Sequence, residues 1–180
     1  SKAIAKIAQQ YGAEVPFIRP KELSQDDSPE WQAWRHALKY VLETSGSLPD
    51  IMVSVPATAP LRKVSDIDDC IELFNDGGVD LVVTTCNAER SPYFNMVKKN
   101  KDETIRLVIP TDKTFNHRQD VPKVFDMATV CYVAKPEFVM SHNSIFEGRV
   151  KAINIPKERA IDIDTQFDLY IAASLLEFDK

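Results

Sequence analysis

Hydrophobic and polar positions follow two regular patterns along this chain, and the first of them predicts helices. Apolar residues that recur at three- and four-residue steps are typical of amphipathic helices. This pattern predicts helices over residues 1–11, 29–44, 65–74 and 165–178, and a shorter helix is predicted over residues 135–141.

Short apolar runs form the second pattern and predict strands. The runs at 51–55 and 80–85 are nearly continuous, as in strands buried within a parallel sheet, and further candidates lie at 14–18, 149–154 and 160–163. Strands and helices that alternate along a chain are joined by right-handed crossovers, which make the strands parallel. We therefore predict an α/β domain with a mainly parallel sheet.

The alternation is interrupted between about residues 91 and 138. Residues 94–98 and 104–109 predict a hairpin, a polar stretch follows it, and residues 127–133 predict another strand. We expect this stretch to leave the main sheet as a small arm, inserted within a single domain that spans residues 1–180.

Composition narrows the class of protein without naming its activity. The net charge of −5, without a basic stripe, argues against nucleic-acid binding. The chain has no apolar run near the roughly 18 residues of a membrane helix. Its three cysteines, Cys70, Cys86 and Cys131, lie far apart and lack metal-type spacing. We therefore expect a reduced, cytoplasmic protein.

Two aspartates one residue apart are the most informative polar feature. Asp162 and Asp164 lie in a predicted strand and directly before a predicted helix. Side chains two apart on a strand share a face, so both carboxylates would meet at the ligand-binding edge of the sheet. Such a pair suits Mg²⁺ together with substrate phosphates. The alternative is that Asp164 caps the helix and Asp162 is an exposed turn residue.

Candidate binding residues follow other predicted strands. Arg19 comes after the 14–18 run, and Arg62 ends the loop after the 51–55 run. Each could bind a phosphate or carboxylate, or could be a solvated arginine. Arg118 lies in a polar loop, where a surface role is favoured on chemistry alone. No arrangement of serine, histidine and aspartate suggests covalent catalysis.

Four short motifs in order resemble one enzyme family. They are Phe17-Ile18-Arg19-Pro20 with Leu23 and Asp26, Thr58-Ala59-Pro60-Leu61-Arg62, Arg118-Gln119-Asp120 with Pro122, and Asp162-Ile163-Asp164-Thr165 with Asp168. Single motifs are weak, but the four together resemble the N-acylneuraminate cytidylyltransferases, or CMP-sialic acid synthetases, over nearly the whole chain.

The resemblance implies a fold, a reaction and an assembly. The fold would be a three-layer, Rossmann-like nucleotidyltransferase with a β dimerisation arm at 91–138, and the protein would be a homodimer. The anomeric hydroxyl of a nonulosonic acid would attack the α-phosphate of CTP and release pyrophosphate. Mg²⁺ would be the cofactor, held by Asp162 and Asp164 as the catalytic and metal-binding pair.

The same resemblance implies the remaining binding residues. Arg19 matches an arginine near the nucleotide base, and Arg118 matches an arginine that reaches the sugar site of the partner subunit. Further nucleotide- or sugar-binding residues would be Ser28, Thr58, Arg62 and Gln119.

The chain also departs from the family pattern. Pro56 and Ala57 stand where relatives carry glutamine and proline before the Thr58 motif. Asp27, Ser28, Pro29 and Glu30 stand where relatives often have a run of serines. Asp126 replaces a common arginine after Phe125. These changes predict a subfamily that acts on a different nonulosonic acid, such as a legionaminic- or pseudaminic-type sugar.

The glycine-, arginine- and lysine-bearing triphosphate loop with which relatives open has no counterpart here. We expect the chain to begin about fifty residues into the family pattern, so that it lacks one β-α-β unit. Two alternatives therefore stay open: a non-catalytic α/β module of the family, and a related sugar nucleotidyltransferase or Mg²⁺-dependent phosphatase.

Overall fold

The computed structural model describes residues 1–25, 27–113, 115 and 117–178, except the side chains of Arg118 and Phe178. The five predicted helices form, and none of their bounds differs from the prediction by more than one residue. They are α1 (Lys2–Gln10), α2 (Glu30–Ser45), α3 (Val64–Asn75), α4 (Pro136–Ser141) and α5 (Gln166–Phe178).

The strands of the described residues form one main sheet and one hairpin. The strands are β1 (Met52–Ser54), β2 (Leu81–Asn87), β3 (Val97–Lys99), β4 (Ile105–Leu107), β5 (Phe125–Ala134) and β6 (Val150–Asn154). The main sheet has the order β1-β5-β2-β6. Strands β2 and β6 are parallel, and β5 is antiparallel to both β1 and β2, so three strands run in one direction.

Helices cover both faces of this sheet. Successive side chains of a strand point to opposite faces, so the same strands contribute to a core on each side. Val82 and Val133 belong to a core cluster with Cys70 and Phe74 of α3. Leu81, Val83 and Tyr132 belong to a second cluster, which Trp31, Trp34 and Leu38 of α2 and Phe138 and Val139 of α4 complete. The result confirms the predicted three-layer α/β architecture.

Two predicted strands are wrong. Residues 14–18 and 160–163 have no strand structure. An apolar run becomes a strand only where a neighbouring strand pairs with its backbone, and neither run has such a ladder among the described residues. The ring of Phe17 instead packs on His36 and Tyr40 of α2, with ring centroids 4.9 Å apart in both contacts.

The prediction that residues 127–133 leave the main sheet is also wrong. Strand β5 lies between β1 and β2 and contributes buried residues to both faces of the sheet. The hairpin β3–β4 forms as predicted and lies outside the main sheet. Of the predicted arm, the hairpin is therefore separate from the main sheet, whereas β5 is a central strand of that sheet. In the described part of the chain, no helix has the length and apolar character that a membrane crossing needs.

Candidate active site

The acidic doublet lies on a segment that connects β6 to α5. A one-turn 3₁₀ helix at Lys157–Arg159 precedes it, and α5 begins at Gln166. Between the two aspartates, the backbone N–H of Ile163 donates a hydrogen bond to the carbonyl oxygen of Thr58, with a length of 2.8 Å. The doublet and the Thr58 motif, which are about one hundred residues apart in sequence, are thereby brought side by side.

Asp162 carries an unsatisfied carboxylate oxygen. Its Oδ1 is buried and has no hydrogen-bond partner among the described residues. The negative charge of Asp162 also raises the pKa of Glu30 and that of Tyr132, so both groups lie within electrostatic reach of this carboxylate. A buried carboxylate oxygen without a donor is costly unless a cation or ligand satisfies it. This oxygen therefore fits a metal ligand.

Asp164 is exposed and is not the cap of α5. Thr165 donates to Oδ2 of Asp168 from its backbone N–H at 2.8 Å and from its hydroxyl at 2.7 Å, and the Asp168 N–H donates back to the Thr165 hydroxyl at 3.3 Å. These hydrogen bonds from Thr165 hold the pKa of Asp168 below its ordinary value. This reciprocal cap leaves the Asp164 carboxylate free for a ligand.

A cleft of about 420 Å³ lies along the outer edge of β1. Arg19, Glu30, Trp34, Ser54 and Val55 are among its lining residues. The Nε of Arg19 donates to the Ser24 hydroxyl at 3.1 Å, and this bond holds the loop that follows the 14–18 segment. The cleft is thus lined by one cation, Arg19, and one carboxylate, Glu30, whose pKa the charge of Asp162 raises.

Glu30 is a candidate functional residue that sequence reasoning missed. Burial is the largest cause that raises the pKa of Glu30, a hydrogen bond from Trp34 lowers it, Asp162 raises it and Arg19 lowers it. Burial chiefly raises the pKa of Tyr132 to about 12, so this phenol stays protonated at neutral pH. Glu30 belongs to residues 27–30, which depart from the serine run of the family, but no local pattern indicated its electrostatic interaction with Asp162.

Arg62 and Ser28 are used within their own loops. The Nη2 of Arg62 donates to the carbonyl oxygen of Pro56, while its buried Nε has no partner among the described residues. Burial lowers the pKa of Arg62. The Ser28 hydroxyl donates to the Glu22 carbonyl oxygen and accepts from the Gln25 N–H, both at 3.0 Å. Both side chains shape loops next to the cleft.

Gln119 lies apart from the doublet, in a second cavity of about 730 Å³. Arg90, Lys123, Asn87 and Asn154 are also among its lining residues, and the last two end β2 and β6. The backbone of Arg118 begins a 3₁₀ turn, but its side chain lies outside the described residues, as does Asp26 of the first motif. Apolar side chains form much of the wall of this cavity, and Arg90 and Lys123 add two cationic side chains.

Among the described residues, the doublet is the candidate for a metal site. Within the described ranges, no group of three or more histidine, cysteine, aspartate or glutamate side chains is arranged to hold a metal ion. Magnesium characteristically binds through one or two carboxylates and takes its remaining ligands from water and substrate phosphates. Asp162 and Asp164 therefore fit Mg²⁺ better than a metal that needs an all-protein cage.

Comparison with known proteins places the chain among sugar-activating enzymes. It is 31% identical over 98% of its length to a post-translational flagellin modification protein B of Campylobacter coli, of which it covers 74%. It is 30% identical over 98% of its length to a CMP-N,N'-diacetyllegionaminic acid synthase of Campylobacter jejuni, again covering 74%. A pseudaminic acid cytidylyltransferase of the same species is 26% identical over 96% of the chain and is covered to 73%.

Solved structures agree on the fold. A CMP:2-keto-3-deoxy-manno-octonic acid synthetase complexed with CTP superposes with a TM-score of 0.63 over 100% of this chain and 79% of its own, at 11% identity. A 4-diphosphocytidyl-2C-methyl-D-erythritol synthase from Anaerococcus prevotii gives a TM-score of 0.60 over 98% and 76%, at 13% identity. The chain matches no model of a known protein family. On the sequence similarity, it belongs to the cytidylyltransferases of the CMP-sialic acid synthetase type and is a nucleotidyltransferase.

Proposed function

We propose that this protein transfers a cytidylyl group from CTP to a nonulosonic acid, in a Mg²⁺-dependent reaction that releases pyrophosphate. Relatives that are named for the CMP-activation of legionaminic and pseudaminic acids support this substrate class. The observation that carries the proposal is the buried Oδ1 of Asp162 beside the Thr58 loop, which has no hydrogen-bond partner in the part of the chain that the structure describes. It is the kind of oxygen that a divalent cation satisfies.

Asp162 and Asp164 would hold the ion, since one has an unsatisfied oxygen and the other is exposed and released from capping. When bound, Mg²⁺ neutralises charge on the phosphoryl oxygens and lowers the pKa of the attacking hydroxyl. Phosphoryl transfer otherwise depends on positioning and electrostatics, so this chain needs no covalent nucleophile.

The other side chains would bind and orient the substrates. Arg19, the cation that lines the cleft at β1, would contact the nucleotide, and the Thr58 loop would form the wall beside the doublet. Gln119 lies apart from the doublet of its own chain, so it and Arg118 would contact the sugar acid bound by the partner subunit. Ser28 and Arg62 are bonded within their loops, and we propose that they shape the nucleotide side of the cleft.

We also propose that the protein is a homodimer assembled through the hairpin β3–β4. Met96, Val97, Ile105 and Ile109 on and beside this hairpin are large apolar side chains that are exposed to solvent. An apolar patch of this kind is typical of a protein interface. Sedimentation velocity should therefore give a dimer, and a monomer at micromolar concentration would contradict this assembly.

Pyrophosphate release tests the proposed reaction. The protein is incubated with Mg²⁺, one of the four nucleoside triphosphates, and N-acetylneuraminic, legionaminic or pseudaminic acid. We expect release with CTP and at least one of these acids, and none when the acid is omitted. Pyrophosphate release without an acid would indicate hydrolysis of the triphosphate to the monophosphate by water, release of orthophosphate instead would indicate a phosphatase, and a lack of release with every acid would favour a non-catalytic module.

A further inference from the structure

The segment that carries the acidic doublet needs an external anchor. Residues 160–165 are neither helix nor strand, so no ladder of backbone bonds fixes them. The hydrogen bond from the Ile163 N–H to the Thr58 carbonyl oxygen holds the middle of this segment, and the cap made by Thr165 and Asp168 holds its end. The start of the segment is held by the side chain of Arg159, three residues before Asp162.

Arg159 makes a forked ion pair with a buried carboxylate. Its Nη2 donates to Oδ1 of Asp66 at 2.8 Å, and its Nε lies 3.2 Å from Oδ1 and 3.0 Å from Oδ2. The side chain of Asp66 is 1% exposed and that of Arg159 is 26% exposed. A forked pair between a guanidinium and a buried carboxylate fixes both the position and the orientation of the Arg159 side chain.

The same carboxylate also fixes the loop on the other side of the site. Oδ2 of Asp66 accepts the backbone N–H of Lys63 at 2.8 Å, which caps the beginning of α3. Helix α3 follows shortly after the Thr58 motif. The carbonyl oxygen of Thr58 in that motif accepts the hydrogen bond from the Ile163 N–H. Asp66 therefore ties the Thr58 loop and the doublet segment to one point.

We propose that Arg159 and Asp66 are positioning residues that hold Asp162 and Asp164 in place for the divalent ion. This inference rests on the proposed function for its effect on turnover. Neither residue is assigned a contact with substrate. Arg159 acts through Asp162, because it sets where the doublet segment begins relative to the Thr58 loop.

The test uses Arg159→Gln, which removes the charge and the fork, together with Arg159→Lys, which keeps the charge alone. Two readouts are needed: Mg²⁺ binding by calorimetry in the presence of CTP, and amide hydrogen exchange of Ile163. We expect Arg159→Gln to weaken Mg²⁺ binding about tenfold, lower turnover about 10²-fold and speed the exchange of Ile163, because small displacements at a reacting centre have large effects. Arg159→Lys should recover part of each loss.

Asp66→Asn should reproduce these effects, because asparagine can still accept from Lys63 but cannot pair with the arginine charge. The double variant should be no worse than the more impaired single variant, since both remove one interaction.

Lys135→Gln is the matched control. Asp80 accepts from Lys135 at 2.8 Å and from the Arg149 N–H at 2.9 Å, which is the same combination of side chain and backbone donors at the opposite end of β2. This control should leave both readouts unchanged.

The inference is overturned if Arg159→Gln leaves Ile163 exchange and Mg²⁺ binding as in the unaltered protein, whatever its melting temperature. Hydrogen exchange separates this failure from that of the proposed function. If the unaltered protein transfers no cytidylyl group, faster exchange in Arg159→Gln still supports the anchor, and unchanged exchange still refutes it.

Discussion

Turnover of the Asp162→Asn variant is expected to fall about 10³-fold, because a carboxylate that holds the metal supplies several kcal/mol of transition-state stabilisation. Its melting temperature should stay the same or rise slightly. The Oδ1 of Asp162 has no hydrogen-bond partner to lose among the described residues, and the negative charge of Asp162 repels that of Glu30. Pyrophosphate release and thermal denaturation of the same preparation measure the two effects.

Thr165→Ala is the control that separates metal binding from capping. It removes the hydroxyl that exchanges hydrogen bonds with Asp168 at the start of α5. We expect it to cost about 1 kcal/mol of unfolding free energy, as a lost cap does, and to lower turnover far less than Asp162→Asn does, since both carboxylates of the doublet remain. An Asp162→Asn variant whose melting temperature collapses together with its activity would instead favour a structural aspartate.

Leu81→Ala should produce the largest loss of stability. Leu81 is fully buried, and β2 pairs there with Ala134 of β5 and Val150 of β6. The truncation removes apolar contacts and leaves a cavity between the sheet and its helices, so the free energy of unfolding should fall by about 2–5 kcal/mol. Urea denaturation followed by circular dichroism measures the change.

Val64→Ala provides the comparison, because Val64 is 75% exposed at the start of α3. Its loss should change the unfolding free energy by less than about 0.5 kcal/mol. Equal effects of the two substitutions would show that the sheet centred on β2 and β5 is not the core that stabilises the protein.

Helices and buried strands could be predicted from the sequence because their signals are local. The 3.6-residue periodicity of α2 and the continuous apolar run of β2 each reflect burial that the chain itself encodes. Residues 14–18 carry the same local signal as a strand. A strand also needs a neighbouring strand that pairs with its backbone, and the sequence of one segment does not show whether such a neighbour exists.

The candidate site illustrates the same limit. The sequence makes Asp162 a candidate metal ligand on the ground of a strand face shared with Asp164, but the structure has an irregular segment there instead. The contact that anchors this segment joins Arg159 to Asp66 across 93 residues. The proximity of Glu30 to Asp162 likewise depends on how α2 packs beside β5, which no short motif encodes.

The central claim is that the acidic doublet binds one divalent ion beside the nucleotide, and electron paramagnetic resonance of Mn²⁺ titrated into the protein with CTP tests it most directly. We predict one tightly bound Mn²⁺ per chain in the unaltered protein, displaced by excess Mg²⁺ and strongly weakened in both Asp162→Asn and Asp164→Asn. Equally tight Mn²⁺ binding in these variants would contradict the account.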